Sequence, residues 1–396
     1  MGFLKRIENQ TLLAILLAVV VGISFPSVVL KFSVIGKAFL KLLKMVVAPL
    51  IFTSVFISLL NLKSLKTLER LGLRTIIYYL ATTSLSVLIG LLLVNLIKPS
   101  AEIGASEIPE LKTISLSELF LGLFPENIVK SFAHTEVIPI IFFAMVLALA
   151  ALKIGEKARP LNLFFGALNE TLLTLTRGII RLTPAGVFFL VASLVAKEGL
   201  SPLISLWEYA GTVVLGLAIH GLVTLPFLLY LFTRTNPWRY FLAVREAPLL
   251  ALSTASSSAT LPVTIEVAEE KAGVKPEVAG FILPLGSTVN MDGTALYEAV
   301  AAMFIAYSYG LKLTLSQQVV IFLTAVLASV GAAGIPSAGL VTMTLVLQSV
   351  GLPLEGLGLI LAVDRFLDML RTSINVWGDL VGAKIIDSWL PKEAKH

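Results

Sequence analysis

The chain contains no cysteine, only three histidines, and charged residues at only 14% of its 396 positions. Without cysteine it has no disulfides, no thiolate metal sites and no cysteine nucleophile. The histidines (His134, His220 and His396) are scattered and form no metal-ligand spacing. Soluble proteins average about 25% charged residues. The shortage of charge, with 57% hydrophobic residues, therefore predicts an all-α polytopic membrane protein.

What the sequence has instead is a series of long apolar runs suited to transmembrane helices. Six hydrophobic segments are predicted in the first part of the chain, near 10–30, 33–61, 68–98, 118–153, 158–197 and 202–232. No small-residue cleavage site follows the first run, so we interpret it as a retained helix and not as a signal peptide.

Basic residues concentrate in alternate connections between these segments, which predicts the orientation of the chain. They are Lys5, Arg6, Lys63, Lys66, Arg70, Arg74, Lys153, Lys157, Arg159, Arg234, Arg239 and Arg245. The connection 99–118 is acidic instead. The positive-inside rule therefore predicts cytoplasmic N- and C-termini in a multi-pass protein of the plasma (inner) membrane, surrounded by lipid. The net charge of +5 needs no nucleic acid to explain it.

From about residue 239 to 388 the pattern changes to a polar-tipped hydrophobic pair followed by a long helix, and then the same again. The tips are at 253–258 and 331–339. Each arm has roughly a dozen apolar residues, too few to cross a core about 30 Å thick. Re-entrant hairpins are favoured, and two matching tips indicate a transport site at a repeat interface. The alternative is two pairs of short core helices joined by ordinary loops.

Five ionic side chains lie along the middle of the last predicted helix, where lipid should allow none: Asp364, Arg365, Asp368, Arg371 and Asp379. At roughly 100° per residue, one arc of about 100° contains Asp364, Asp368, Arg371, Thr372, Asn375 and Asp379. A charge near the bilayer centre costs about 3 kcal/mol, so this stripe must face a partner, an ion or water. The planar fork of Arg371 matches a carboxylate of a ligand. A structural ion pair with Asp364 or Asp368 is the alternative.

The helix between the two pairs contains GSTVNMDGT at 286–294. Asn290, Asp292, Gly293 and Thr294 are poor helix formers. An unwound turn there would free backbone carbonyls, which together with the Asn and Asp side chains form an all-oxygen shell for a hard cation. The alternative is a kinked core helix with satisfied polar groups.

Four motifs in these segments resemble those of a transporter family. They are ASSSATLP at 255–262, NMDGT at 290–294, GAAGIP at 331–336 and DMLRTSINVWGD at 368–379. In this order and spacing they are similar to the signature motifs of the dicarboxylate/amino acid:cation symporters, which include the archaeal aspartate transporters and the excitatory amino acid transporters. The resemblance spans nearly the whole chain.

The resemblance implies a homotrimer whose protomers have eight transmembrane helices and two re-entrant helical hairpins in inverted repeats. Scaffold helices 1 and 2 would occupy 1–67, transport-domain helix 3 would occupy 68–98, and scaffold helices 4 and 5 would occupy 99–200. The remaining transport domain, 201–396, would contain helix 6, hairpin 1 (about 239–271), helix 7 (about 277–308), hairpin 2 (about 316–350) and helix 8 (about 355–388). Members transport by an elevator movement, with the second hairpin as the gate.

The resemblance also implies a substrate site. Its residues are Ser257, Thr294, Ile335, Gly339, Asp368, Arg371, Thr372 and Asn375. Asp368 would bind the substrate amine and Arg371 the side-chain carboxylate.

Two to three sodium ions are the implied cofactors, with no organic cofactor. One site would comprise Gly286, Asn290, Asn375 and Asp379. A second would lie between Thr288, Met291 and the backbone of Ser329, Val330 and Ala332. A third would comprise Asn290 and Asp292 with Tyr79, Thr82 and Thr83. Taken alone, Tyr79 and Thr82 are more often helix-packing residues than ligands.

Three positions bear on the coupling ion. Archaeal members have an arginine where this chain has Ala255, and animal acidic transporters have one where it has Met369. Arg365 is the candidate to substitute for them, and potassium counter-transport is not implied. Glu298 resembles a glutamate that is implicated in proton coupling in animal acidic transporters. A structural, hydrogen-bonded glutamate is the alternative.

These features predict a sodium-coupled symporter of aspartate and glutamate. A proton-coupled glutamate or C4-dicarboxylate symporter and a neutral amino acid transporter are the alternatives, although neutral members lack the arginine at position 371. An ion channel would have no need of an arginine–aspartate pair that holds a zwitterion. An enzyme is disfavoured because no histidine or lysine is spaced to activate the serines at 256–258.

Overall fold

The structure is a computed structural model of the chain and describes residues 7–60, 71–101, 121, 124–134, 137–200, 205–331 and 338–390. Within these ranges every regular element is helical, which confirms the all-α class.

The N-terminal half consists of eight described helices and a 3₁₀ turn at Gly155–Ala158. They are α1 (Ile7–Ser24), α2 (Pro26–Lys31), α3 (Ser33–Leu60), α4 (Leu73–Ile97), α5 (Ile128–His134), α6 (Val137–Ile154), α7 (Arg159–Ile180) and α8 (Thr183–Glu198). The predicted segments 10–30 and 158–197 are each divided into two helices. Pro26 and Pro184 lie in the first turns of α2 and α8. Proline fits a helix start but interrupts a helix interior, which accounts for both divisions.

The C-terminal half contains ten described α-helices. They are α9 (Leu206–Ile219), α10 (Leu225–Thr233), α11 (Pro237–Val244), α12 (Glu246–Thr254), α13 (Ser257–Glu266), α14 (Pro276–Val289), α15 (Asp292–Ser308), α16 (Leu315–Gly331), α17 (Ala338–Ser349) and α18 (Leu357–Ser388).

Three helical stretches in the described ranges are long and apolar enough to cross a membrane: Leu73–Ile97, Pro139–Ile179 and Leu206–Thr233. Large apolar side chains on their outer faces are exposed, including Leu96 at 80% and Leu222 at 76%. A broad apolar outer surface of this kind suits lipid and not water.

A sharp turn joins α12 to α13 at the first polar tip. Ala255 has a left-handed backbone with φ of 49°, and Ser256 is extended. The Ser256 side chain then accepts a hydrogen bond from Ala259 N (3.2 Å), which caps α13. A left-handed alanine costs roughly 1–2 kcal/mol, so the tip is strained where a glycine would not be.

The helix between the two pairs is interrupted, as its sequence predicts. α14 ends at Val289, and Asn290 and Met291 have non-helical backbone angles before α15 begins. α15 is the central helix of the fold, because all its residues except Tyr307 are buried. It packs against α4, α9, α16, α17 and α18.

A π-turn, His220–Thr224, connects α9 to α10 without breaking the helical path. Pro226 follows two residues after its end, and this proline has no N–H to donate and would clash with the carbonyl of an ordinary preceding turn. The wider turn accommodates the proline, because Leu225 N donates instead to the carbonyl of His220.

Two packing groups can be distinguished in the helix contacts. α1 packs chiefly against α8, and α3 packs against α6, α7 and α8. α18 packs against the first hairpin through α12, against both halves of the interrupted helix, and against α9 and α10. The stripe on α18 therefore faces the interior of the C-terminal half.

Candidate functional site

The polar stripe of α18 is buried as an ion-pair network. Arg371 is fully buried, and it donates from Nη2 to Asp368 Oδ1 (2.7 Å) and from Nη1 to Asp364 Oδ1 (3.0 Å). Arg365 is less buried, and its Nη1 lies 3.5 Å from Asp368 Oδ2. We call these four residues the arginine cluster. Its two carboxylates and two guanidiniums balance in charge, and the sequence alternative of a structural ion pair is present in this structure.

Other predicted substrate residues surround the guanidinium of Arg371. A Cβ atom added at Gly339 would lie 3.2 Å from Arg371 Nη2 and 3.3 Å from Thr294 Cγ2, so these three residues meet. The ring of Tyr297 covers the guanidinium, with its centroid 3.9 Å from Cζ. This ring provides a cation–π contact in a dry environment, where such contacts are strongest.

Asn375 links the last helix to the start of α15. Its Oδ1 accepts a hydrogen bond from Gly293 N (2.8 Å), and its Nδ2 donates to Thr294 Oγ1 (3.3 Å). The first bond satisfies an N–H at the helix start that has no partner within the helix. One turn earlier, Thr372 Oγ1 donates to the Asp368 carbonyl (2.7 Å).

A second polar group lies one to two turns further along α18. Asp379 Oδ1 accepts a hydrogen bond from Asn290 Nδ2 (2.9 Å) at the helix interruption. A Cβ atom at Gly286 would collide with the Asp379 carboxylate and with the Tyr79 hydroxyl. The backbone of Gly286 is therefore in close contact with both side chains, and only glycine leaves this space.

Asp292 is held on both of its oxygens by neighbouring helices. Thr83 Oγ1 donates to Oδ1 (2.7 Å), and Thr82 Oγ1 lies 3.3 Å from the same oxygen. His220 Nε2 contacts Oδ2 at 3.0 Å, and Ser86 Oγ donates to the Asp292 carbonyl (2.8 Å). We use the name cation layer for Tyr79, Thr82, Thr83, Gly286, Asn290, Asp292, Asn375 and Asp379.

The polar atoms of the cation layer are mostly oxygens, and they include two carboxylates. Within the described ranges, neither Asp292 nor Asp379 forms an ion pair with lysine or arginine, although both are buried. The described residues also contain no group of three His, Cys, Asp or Glu side chains that could hold a metal ion. Amide, hydroxyl and backbone oxygens with two carboxylates suit a hard cation better than a softer metal.

Some of the remaining predicted ligands lie within the described residues, and others do not. Thr288 lies in the last turn of α14 and Met291 lies in the interruption, and α14 packs against α16, which contains Ser329 and Val330. Ser329 Oγ donates to the Val326 carbonyl. The predicted ligands Ala332 and Ile335 lie outside the described residues.

Two further predicted residues have different surroundings. Ser257 is buried as the first residue of α13, but no hydrogen bond within the described residues joins it to the arginine cluster. Glu298 is fully buried in α15 and accepts a hydrogen bond from Thr342 of α17. Its second oxygen, Oε2, has no partner in the described part of the chain.

The sequence did not indicate three residues that the structure places at the site: His220, Ser86 and Tyr297. The histidines were dismissed for lack of spacing, yet His220 reaches Asp292 across 72 positions of sequence. Ser86 lies four residues after Thr82 on the same helix face, and that spacing was the available signal for it. Tyr297 lies three residues after Thr294, which is a comparable signal.

Comparisons with known proteins identify similar transporters. The sodium:dicarboxylate symporter family matches residues 7–389. Excitatory amino acid transporter 3 of Mus musculus is 38% identical over 421 residues, covering 92% of this chain and 80% of that protein. The Homo sapiens protein of the same name is 36% identical and covers 100% and 88%. An excitatory amino acid transporter of Caenorhabditis elegans is 37% identical and covers 91% and 82%.

These matches span nearly the whole chain and include both halves of the site. They are matches to transporters and not to enzymes. The chain belongs to the sodium:dicarboxylate symporter family.

Proposed function

We propose that this protein takes up the acidic amino acids aspartate and glutamate by symport with sodium ions. The observation that carries the proposal is the position of a buried arginine cluster on α18 beside a buried cation layer that α18 helps to form, in which Asp292 and Asp379 have no lysine or arginine partner among the described residues. The names of the similar transporters, and the sodium and dicarboxylate in the family description, support this substrate and this ion.

The substrate would exchange contacts within the arginine cluster. Its side-chain carboxylate would take a place on the fork of Arg371, and its ammonium group would bind Asp368. Both ends are then charge-assisted hydrogen bonds, which are about twice as strong as neutral ones. Thr294, Gly339, Thr372 and Asn375 would line the remaining space, and the tips containing Ser257 and Ile335 would cover it.

Sodium ions would compensate the cation layer. One ion would bind near Gly286, Asn290, Asn375 and Asp379, and another near Asp292 with Tyr79, Thr82 and Thr83. A further ion between Thr288, Met291 and the residues at 329–332 would join the interrupted helix to the second hairpin. Unwound backbone that lines such sites is typical of sodium-coupled transporters.

The family architecture is proposed for the same chain. The described arms α16 and α17 have 17 and 12 residues, or about 26 and 18 Å, against a core about 30 Å thick. These lengths support re-entrant hairpins. The separate packing of α1 with α8 and of α18 with α15 supports scaffold and transport domains with the predicted boundaries. An elevator movement, a homotrimer, and cytoplasmic termini at the plasma membrane complete the proposal.

A proton-coupled mechanism is the second candidate, because one observation favours it. Glu298 is buried, only one of its oxygens is hydrogen-bonded within the described residues, and it lies on the central helix. A carboxyl in such a place can be neutralised by a proton instead of a sodium ion.

Uptake into proteoliposomes separates the candidates. Labelled aspartate, glutamate and serine are offered under a sodium gradient alone and under a proton gradient alone. We expect aspartate and glutamate, but not serine, to accumulate under the sodium gradient. Accumulation that needs only the proton gradient would replace sodium coupling with proton coupling, and no accumulation under either gradient would refute the transport assignment.

A further inference from the structure

A buried histidine lies beside the cation layer and has no role among the proposed ligands. His220 is 0% exposed, and its only described polar contact is that of Nε2 with Asp292 Oδ2 at 3.0 Å. The other ring nitrogen, Nδ1, has no hydrogen-bond partner in the described part of the chain. Within the described residues, the hydrogen bonding of the His220 side chain is therefore directed at the Asp292 carboxylate alone.

The contact fixes the orientation of that carboxylate. A carboxylate only accepts hydrogen bonds, so Nε2 of His220 donates to Oδ2 of Asp292. The opposite oxygen, Oδ1, is then directed to Thr82 and Thr83, where the oxygens of the cation layer converge. The final torsion of an aspartate is broad, so without such a contact the carboxylate group can turn.

The backbone beside His220 is held in place by contacts with α18. The π-turn that begins at His220 exposes the carbonyl of Gly221, which accepts a hydrogen bond from Trp377 Nε1 (3.0 Å). Gly221 also packs directly against the Ile374 side chain, where a Cβ atom would collide. The turn is thereby fixed to α18, the helix that supplies Asp379.

We propose that His220 is a positioning residue for sodium binding. It binds no ion itself, but it holds Asp292 in the orientation in which Oδ1 faces the cation. The proposal rests on the proposed sodium coupling. Loss of the Nε2 donor is expected to weaken sodium binding while every ion ligand, and the arginine cluster, is still present.

Two amide substitutions form a matched pair for the test. In His220→Gln the amide nitrogen lies near the position of Nε2, so the hydrogen bond to Asp292 is kept. In His220→Asn the amide lies near the position of Nδ1 and does not reach the carboxylate. His220→Leu removes the polar groups at similar volume, and it replaces His220→Asn in the test if that variant does not elute as a folded protein.

The experiment measures the sodium concentration that gives half-maximal aspartate uptake, and the sodium-dependent rise in Tm of purified protein without aspartate. We expect His220→Asn to need at least about tenfold more sodium in both measurements, because a hydrogen bond to a charged group is lost. We expect His220→Gln to stay within about twofold of the unmodified protein, and the KM for aspartate at saturating sodium to be unchanged in both variants.

Two results would overturn the proposal. One is an unchanged sodium requirement in His220→Asn and His220→Leu. The other is an equal loss in His220→Gln and His220→Asn, which would indicate a role in packing alone. If the unmodified protein itself shows no sodium-dependent uptake and no sodium-dependent stabilisation, the proposed function fails, and that result is distinct from both.

Discussion

The arginine cluster lies on α18, and the neighbouring cation layer shares Asn375 and Asp379 of that helix, yet the two regions differ in charge balance. In the cluster, Asp364 and Asp368 are paired with two arginines at distances of 2.7 to 3.5 Å. In the cation layer, Asp292 and Asp379 are buried without a lysine or arginine partner among the described residues. The carboxylates of the cluster are matched by guanidiniums, whereas those of the layer have only histidine, hydroxyl and amide partners among the described residues.

This difference gives a physical reason for coupling. A buried charged carboxylate without a partner of opposite charge costs several kcal/mol, so we propose that sodium ions stabilise the layer by neutralising it. The proposed substrate, in contrast, would exchange with ion pairs that already exist. Asn375 of the cation layer is hydrogen-bonded to Gly293 and Thr294, and Thr294 lies near Arg371 at Gly339, so we propose that cations that order the helix interruption also order the substrate side. Sodium binding should therefore favour aspartate binding, and the reverse.

The largest effect is expected from Arg371→Gln, which unbalances the cluster. Breaking a buried ion pair costs about 3–5 kcal/mol, so aspartate uptake at saturating sodium should fall by more than about 100-fold. Sodium-dependent stabilisation without aspartate should persist, because the layer is intact. The control is Arg245→Gln, the same change at an exposed position. Full aspartate uptake in Arg371→Gln would remove this residue from the substrate site.

Asp379→Asn is expected to affect the other region. One negative charge of the layer is lost, and we expect the sodium concentration for half-maximal uptake to rise at least about tenfold. Aspartate uptake at saturating sodium should be better preserved than in Arg371→Gln. Asp387→Asn, on the same helix but outside the site, serves as the control and should behave like the unmodified protein.

Substitution of one glycine beside each region tests the two regions separately. A Cβ at Gly286 meets the Asp379 carboxylate, and one at Gly339 meets Arg371 Nη2 at 3.2 Å. Gly286→Ala should therefore raise the sodium requirement, and Gly339→Ala should raise the KM for aspartate, each by about fivefold. Gly280→Ala is the control, because nothing lies within 4 Å of its added Cβ. Equal effects of Gly286→Ala and Gly339→Ala on both ligands would argue against separate regions.

The smallest effect is expected from Thr83→Ala. It removes the 2.7 Å hydrogen bond to Asp292 but no charge. Thr82 Oγ1, which lies 3.3 Å from the same oxygen, remains as a donor, so the sodium requirement should rise only about threefold. Thr75→Ala removes a hydroxyl of the same helix that donates to the Leu71 carbonyl, and sodium titration of uptake should show no change there. An unchanged titration in Thr83→Ala would place sodium elsewhere.

The sequence predicts the helical class, the polar stripe and the interruption at Asn290, because each has a local signal. A run of residues at helical spacing identified Asp364, Asp368 and Arg371 as neighbours, but spacing alone did not decide whether they pair with one another or with a ligand. In the structure they pair with one another.

Contacts between distant segments were beyond prediction from single residues. His220 and Asp292 are 72 positions apart, and Ser86 and Asp292 are 206 apart. Such contacts depend on how α4, α9 and α15 pack, and no periodicity in one segment encodes them. Only the resemblance implied that Tyr79, Thr82 and Thr83 are ligands. In the structure Thr82 and Thr83 contact Asp292, and the Tyr79 hydroxyl donates to the Ile282 carbonyl.

The central claim is that the cation layer must be neutralised before the arginine cluster can exchange with substrate. Thermal unfolding of the purified protein tests it directly, with aspartate titrated in sodium and in a sodium-free buffer of equal ionic strength. We predict that sodium alone raises Tm, and that aspartate raises it further only when sodium is present. An equal rise in Tm with aspartate in the sodium-free buffer would contradict the account.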